Sequence, residues 1–152
     1  MEVLRGYARF VAVAASACAA LLGFFLIVEA VLIVGGWNAP SFWTIRRLSM
    51  IPYTLAVCGI AWGAWAVSRG ITLWAALPRL LGLVGVLLAV GGFLDLTGTS
   101  LISRILWPET YQSIGYFDPS YFAVTIVGMM LWLVGRLTAR AFAKARELEE
   151  FV

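Results

Sequence analysis

Residues 10–34 read FVAVAASACAALLGFFLIVEAVLIV, an apolar run that carries a single charge, Glu29. A helix rises 1.5 Å per residue, so a hydrocarbon layer of about 30 Å takes roughly 20 apolar residues to cross. The run exceeds that length and leaves room for tilt. Arg5 and Arg9 ahead of an Ala-rich stretch give it the look of a secretory leader. A leader's apolar core is only about 7–15 residues long, however, so an uncleaved first span is expected.

Outward from this run, three more stretches repeat the pattern. Residues 50–67 form the second, residues 77–96 the third, with Arg79 and Asp95 near its ends, and residues 119–137 the fourth. Apolar residues make up 62% of the 152 positions and charged residues 12%. Soluble domains carry about 45–50% and about 25%, so the surplus points to lipid as the solvent. No stretch alternates with period two, which excludes a barrel and leaves helices to satisfy the backbone in lipid. The expected fold is all-α: a single four-span bundle with a helical tail over residues 138–152. Punctuation supports the division. Gly35 and Gly36 stop the first helix, and Ser68-Arg69-Gly70 closes the second. Pro78 suits the first turn of the third, Pro52 lies one turn into the second, where a proline costs little, and Asp118-Pro119 reads as a cap followed by a proline at the first helical position.

Charge placement sets the orientation. With the N-terminus in the cytoplasm, that side collects Arg5, Arg9, Arg69, Arg79, Arg136, Arg140, Lys144 and Arg146. The other side holds Arg46, Arg47 and Arg104. The positive-inside rule then places both termini in the cytoplasm. Ten of the eleven cationic residues are Arg, a bias that accompanies G- and C-rich bacterial genomes. A bacterial inner membrane is the expected location. No basic run with interleaved aromatics occurs, so direct nucleic-acid binding is not expected.

Residues 97–118 form the long outer connection. Leu101, Ile102, Ile105, Leu106 and Trp107 fall at helical spacing, followed by Tyr111, Tyr116 and Phe117. A short helix in the outer interface and a loop packed over the bundle both fit these residues. Trp62, Trp65 and Trp74 gather near the inner boundary, and Trp37, Trp43 and Trp107 near the outer, as anchoring belts do. In the tail, Lys144, Arg146 and the glutamates that follow pair at three and four residues. Arg140, Phe142, Lys144, Leu148 and Phe151 form a candidate partner surface; packing on the bundle or on lipid headgroups is the alternative.

The inventory for chemistry is thin. The chain has no His, which removes the commonest general base and metal ligand. No catalytic, cofactor or metal site is expected, and no enzyme activity. Cys18 and Cys58 lie in separate apolar runs without a Cys-x-x-Cys neighbour, so they read as small buried hydrophobes. Gly59 and Gly63 form a small-x-x-x-small pair suited to close helix approach. Glu29, Arg46, Arg47 and Asp95 fall at one level near the outer interface, a candidate polar cluster. A carboxylate inside a span defaults to a functional hypothesis, a site for an ion, proton or small ligand. The alternative is an inter-helix salt-bridge cluster that fixes packing.

Two segments carry a resemblance. Val67-Ser68-Arg69-Gly70 with Leu77-Pro78-Arg79-Leu80-Leu81-Gly82, and the ending RAFAKARELEEFV at residues 140–152, resemble a bacterial group of four-span proteins catalogued as a domain of unknown function (DUF2975-like). The resemblance implies a membrane partner for a small helix-turn-helix regulator encoded nearby, and it assigns no catalytic residues. The leading expectation is thus a non-enzymatic membrane protein acting by contact, restraining or sensing for a cytoplasmic regulator, or scaffolding. An accessory subunit of a larger respiratory or photosynthetic complex is the alternative, and a small oligomeric transporter or channel using Glu29 and Asp95 the third. Membrane lipids and one protein are the expected partners.

Overall fold

Each of the four apolar stretches is helical in the structure, a computed structural model that describes residues 2–36, 47–71, 73–106 and 118–149. Helix α1 spans Glu2–Val34. A 3-10 turn, Arg47–Ser49, leads into α2, Met50–Ser68. Helix α3, Leu73–Phe93, widens into a π-helical turn, Leu94–Gly98, and continues as the short α4, Thr99–Leu106. Helix α5 covers Pro119–Glu149. Four segments are long and apolar enough to cross a membrane: Gly6–Val34, Met50–Ser68, Ala76–Gly98 and Pro119–Ala145. This is the architecture of a multi-pass membrane protein.

The helix ends follow the local chemistry. After α2 the Gly70 N–H bonds the Val67 carbonyl at 3.1 Å and the Ile71 N–H the Ala66 carbonyl at 3.2 Å. This is a Schellman closure, and it needs the left-handed φ of +100° that Gly70 adopts. At the start of α5 the Asp118 carboxylate accepts from the Ser120 N–H at 2.9 Å, the N-cap expected of Asp118-Pro119. Pro78 differs from expectation. Helix α3 begins at Leu73, so Pro78 lies inside it, in its second turn, rather than at its opening. The carbonyl of residue 74 therefore receives no bond from position 78, a loss that is cheapest close to a helix end.

Packing follows chain order. Helix α1 lies against α2, α2 against α3, and α3 against α5, while no comparable contact joins α1 to α5 among the described residues. The expected bundle is therefore a row of helices, open on its broad faces, rather than a ring. On α1 the less exposed residues Ala8, Ala12, Ala15, Ala19, Leu22 and Leu26 advance by alternating fours and threes and lead to Glu29. Such steps trace one seam along a helix.

The tightest seam joins α3 and α5. A Cβ on Gly135 would lie 2.7 Å from the Gly82 nitrogen and 2.9 Å from the Pro78 carbonyl oxygen. One on Gly128 would lie 2.8 Å from the Gly85 carbonyl oxygen. Backbone meets backbone along this line, as small residues allow in membranes, where close van der Waals packing replaces the hydrophobic drive. Gly59 and Gly63 receive the α3 side chains Leu83 and Leu80, so that pair serves internal packing.

The buried apolar residues are accordingly small: Ala12, Ala56, Ala61, Ala66 and Val84. Large side chains point outward instead, including Phe10, Phe24, Phe25 and Met130, each more than 60% exposed. A surface of this kind would drive aggregation in water and is ordinary in lipid. Cys18 and Cys58, expected to be buried, are exposed on helix surfaces. In a row of helices most apolar positions face outward, small ones among them.

Candidate functional site

Polar side chains converge at the end of the row away from Arg69, Arg79 and Arg136. Glu29 sits at the far end of the α1 seam, and Arg47 opens the turn before α2. An Arg47 guanidinium nitrogen donates to Glu29 Oε2 at 2.7 Å, with 54% of the Arg47 side chain exposed and 18% of the Glu29 side chain. Proximity to the α2 start is what brings them together, because α1 and α2 run antiparallel and the Arg47 turn arrives beside the last turns of α1.

Asp95 takes a different partner. The Tyr53 hydroxyl, one turn into α2, donates to Asp95 Oδ2 at 2.9 Å. Gly91, one turn before Asp95, makes the approach possible: a Cβ there would lie 2.6 Å from Tyr53 Cε1. Its neighbour Gly92 faces the other way, where a Cβ would lie 2.9 Å from the Thr125 nitrogen of α5. Adjacent glycines thus let α3 accept a ring from α2 on one side and the α5 backbone on the other. Directly beyond them the helix widens, with Asp95 in the first turn of the π-helical segment. Wide turns of this sort are often found where a helix carries a functional side chain.

The sequence placed Glu29, Arg46, Arg47 and Asp95 at one level. The structure joins Glu29 to Arg47, and the Arg47 turn touches the turn that holds Asp95. Asp95 itself bonds across to α2 through Tyr53, and Arg46 lies outside the described residues. Tyr53 was missed. Nothing marks a tyrosine in an apolar run as the partner of an aspartate 42 residues away until the α2–α3 register is known. Its one sequence signal is its place in the opening turn of a span whose antiparallel neighbour ends in an acid.

Each carboxylate is thereby matched by one donor, and three elements are tied at one end: α1 to the α2 turn, and α2 to α3. The arrangement can hold register and can relay a change at one pair to the other through the touching turns. Among the described residues no group of three or more His, Cys, Asp or Glu side chains is placed to hold a metal ion.

The candidate partner surface lies on the last turns of α5. Arg140 and Lys144 are exposed there, as is Glu147, while Phe142 is half-buried. Of that surface, Phe142 is thus already partly covered. Leu148 belongs to the last turn of α5, and Phe151 lies outside the described residues. Short α4 carries Leu101, Arg104 and Ile105 exposed, whereas Trp107, Tyr111, Tyr116 and Phe117 lie outside the described residues. Compared with protein-family models, with curated proteins and with solved structures, the chain matches none of them.

Proposed function

We propose that this is a multi-pass protein of the bacterial inner membrane, with both termini in the cytoplasm, that acts by contact rather than by chemistry. The helix from residue 136 onward would be its point of contact with a cytoplasmic partner. One observation carries this reading. At 31 residues α5 is about 46 Å long, against about 30 Å of hydrocarbon, so its final turns extend past the membrane. Those turns present Arg140, Lys144 and Glu147 to solvent. A regulator restrained at the membrane, the partner implied by the DUF2975-like resemblance, would find there a charged, ordered helix to grip.

The test is a paired purification from native membranes in mild detergent. Intact protein is expected to carry one partner in fixed ratio. Deletion of residues 140–152 should release that partner while the remaining spans stay resistant to alkaline extraction. Retention of the partner by the shortened chain would overturn the reading.

A second reading, an accessory subunit of a larger membrane assembly, is favoured by the open faces of the helix row. A row of helices with exposed large apolar residues fits against a bigger neighbour as readily as against lipid. Native gels separate the two, because a subunit migrates with the assembly even after loss of the tail.

A further inference from the structure

The Arg79 end of α3 and the Arg136 region of α5 frame a cavity of about 470 Å³ whose walls divide by chemistry. Arg79 and Arg136 line the part nearest the helix ends, and Leu83, Val86, Leu87 and Trp132 line the part towards mid-span. Eight residues at 1.5 Å each separate Arg79 from Leu87, an apolar trench about 12 Å long. Both arginines are exposed, and neither forms an ion pair among the described residues. The Arg136 guanidinium lies 5.0 Å from the centre of the Trp132 ring, which leaves its edge free to donate. No described residue lining the cavity is acidic.

Two cations on neighbouring helices repel each other, and no carboxylate among the described residues that line the cavity offsets that. A guanidinium is a planar fork that matches phosphate oxygens, and two of them suit one phosphate. The trench below is the wrong lining for a water-soluble anion and the right one for a hydrocarbon chain. We infer that this groove binds an anionic phospholipid, with its phosphate between Arg79 and Arg136 and an acyl chain along the α3–α5 trench. A zwitterionic lipid brings its own cation to the same place and is disfavoured. Basic pockets between membrane helices select lipids on these terms. The larger cavity between α1, α2 and α3, about 490 Å³, is lined by apolar residues such as Val11, Ile60 and Leu80 and has no such charge pair.

This inference shares Arg136 with the start of the proposed contact helix but is tested separately from it, because deleting residues 140–152 leaves both arginines in place. The experiment is native mass spectrometry of the full chain with phosphatidylglycerol or with phosphatidylcholine of matched acyl chains. The intact protein is expected to retain one phosphatidylglycerol with a preference of about tenfold, which is modest for two arginines near a headgroup. The double variant R79Q/R136Q should bring the two lipids to parity, whereas R79K/R136K, which keeps both charges, should retain a preference. R69Q removes a cation at the same end, one stacked on Trp65, and should change nothing. Val86→Trp should lower retention by filling the trench with the charges untouched. Equal retention of both lipids by the intact protein would overturn the inference. So would a preference that survives R79Q/R136Q or that disappears in R69Q. Displacement of the lipid by millimolar inorganic phosphate would show a small-anion site instead and would also overturn it.

Discussion

At the scale of single residues, the two carboxylates inside the long helices differ in how much depends on them. Glu29 meets an arginine that is more than half exposed, and ion pairs open to solvent are worth about 0–1 kcal/mol. Glu29→Gln keeps an oxygen acceptor for Arg47 and is expected to cost no more than that. Asp95 is matched by the Tyr53 hydroxyl in a part-buried position. Tyr53→Phe leaves that carboxylate without its donor, for an expected loss of about 0.5–1.5 kcal/mol, the net value of a typical protein hydrogen bond. Unfolding titrations in mixed detergent micelles would rank the two, with Tyr53→Phe the more damaging. If Glu29→Gln proved worse, Glu29 would be holding more than Arg47. That Glu29 and Asp95 were special could be read from the sequence, since charges within apolar runs announce themselves. That Tyr53 answers Asp95 could not, because pairing across helices depends on a register that only Gly91 makes room for.

Helices and their ends were largely legible because the signals are local. Gly70 and Asp118 act within a few residues of themselves, and the apolar runs fix length. The partners of the helices were not legible. Glycines on α3 at 82, 85, 91 and 92 advertise close approach without saying to what, and the structure divides them: Gly85 and Gly92 face α5, Gly91 faces α2, and Gly82 offers Gly135 its backbone nitrogen while its own Cβ position is open. This division yields a prediction at the scale of the element. Gly85→Ala or Gly128→Ala places a methyl group against the backbone of the neighbouring helix and should cost about 1–3 kcal/mol or more, the usual range for overpacking. Gly23→Ala on α1 meets nothing within 4 Å and should be neutral or gain up to about 1 kcal/mol from helix propensity. Thermal midpoints of the three purified variants check the contrast. Equal effects at Gly23 and Gly128 would mean that α3 and α5 do not touch along this seam.

For the whole molecule, the decisive fact is a core of alanines and glycines with the large apolar side chains turned outward. A four-span bundle was the expectation, and whether it closes depends on contacts between the first and last helices that no local pattern encodes. An open row places unusual weight on its surroundings, since nearly every helix face must be satisfied by lipid or by a partner. The two cysteines report on this directly. Cys18 and Cys58 are exposed on the protein surface, and each lies near the middle of its span, Gly6–Val34 and Met50–Ser68. A charged maleimide reaches a thiol bathed in water but is kept out of a hydrocarbon layer by the cost of desolvating its charge. Both are therefore expected to stay unlabelled in intact membranes and to react on transfer to hot dodecyl sulfate. A cysteine introduced at Ser120 or at Lys144, each exposed near an end of α5, should react in the membrane, and from opposite sides of it. Labelling of Cys18 and Cys58 without denaturation would mean that water, not lipid, bathes the outward faces, and the row would then have no solvent able to keep it intact.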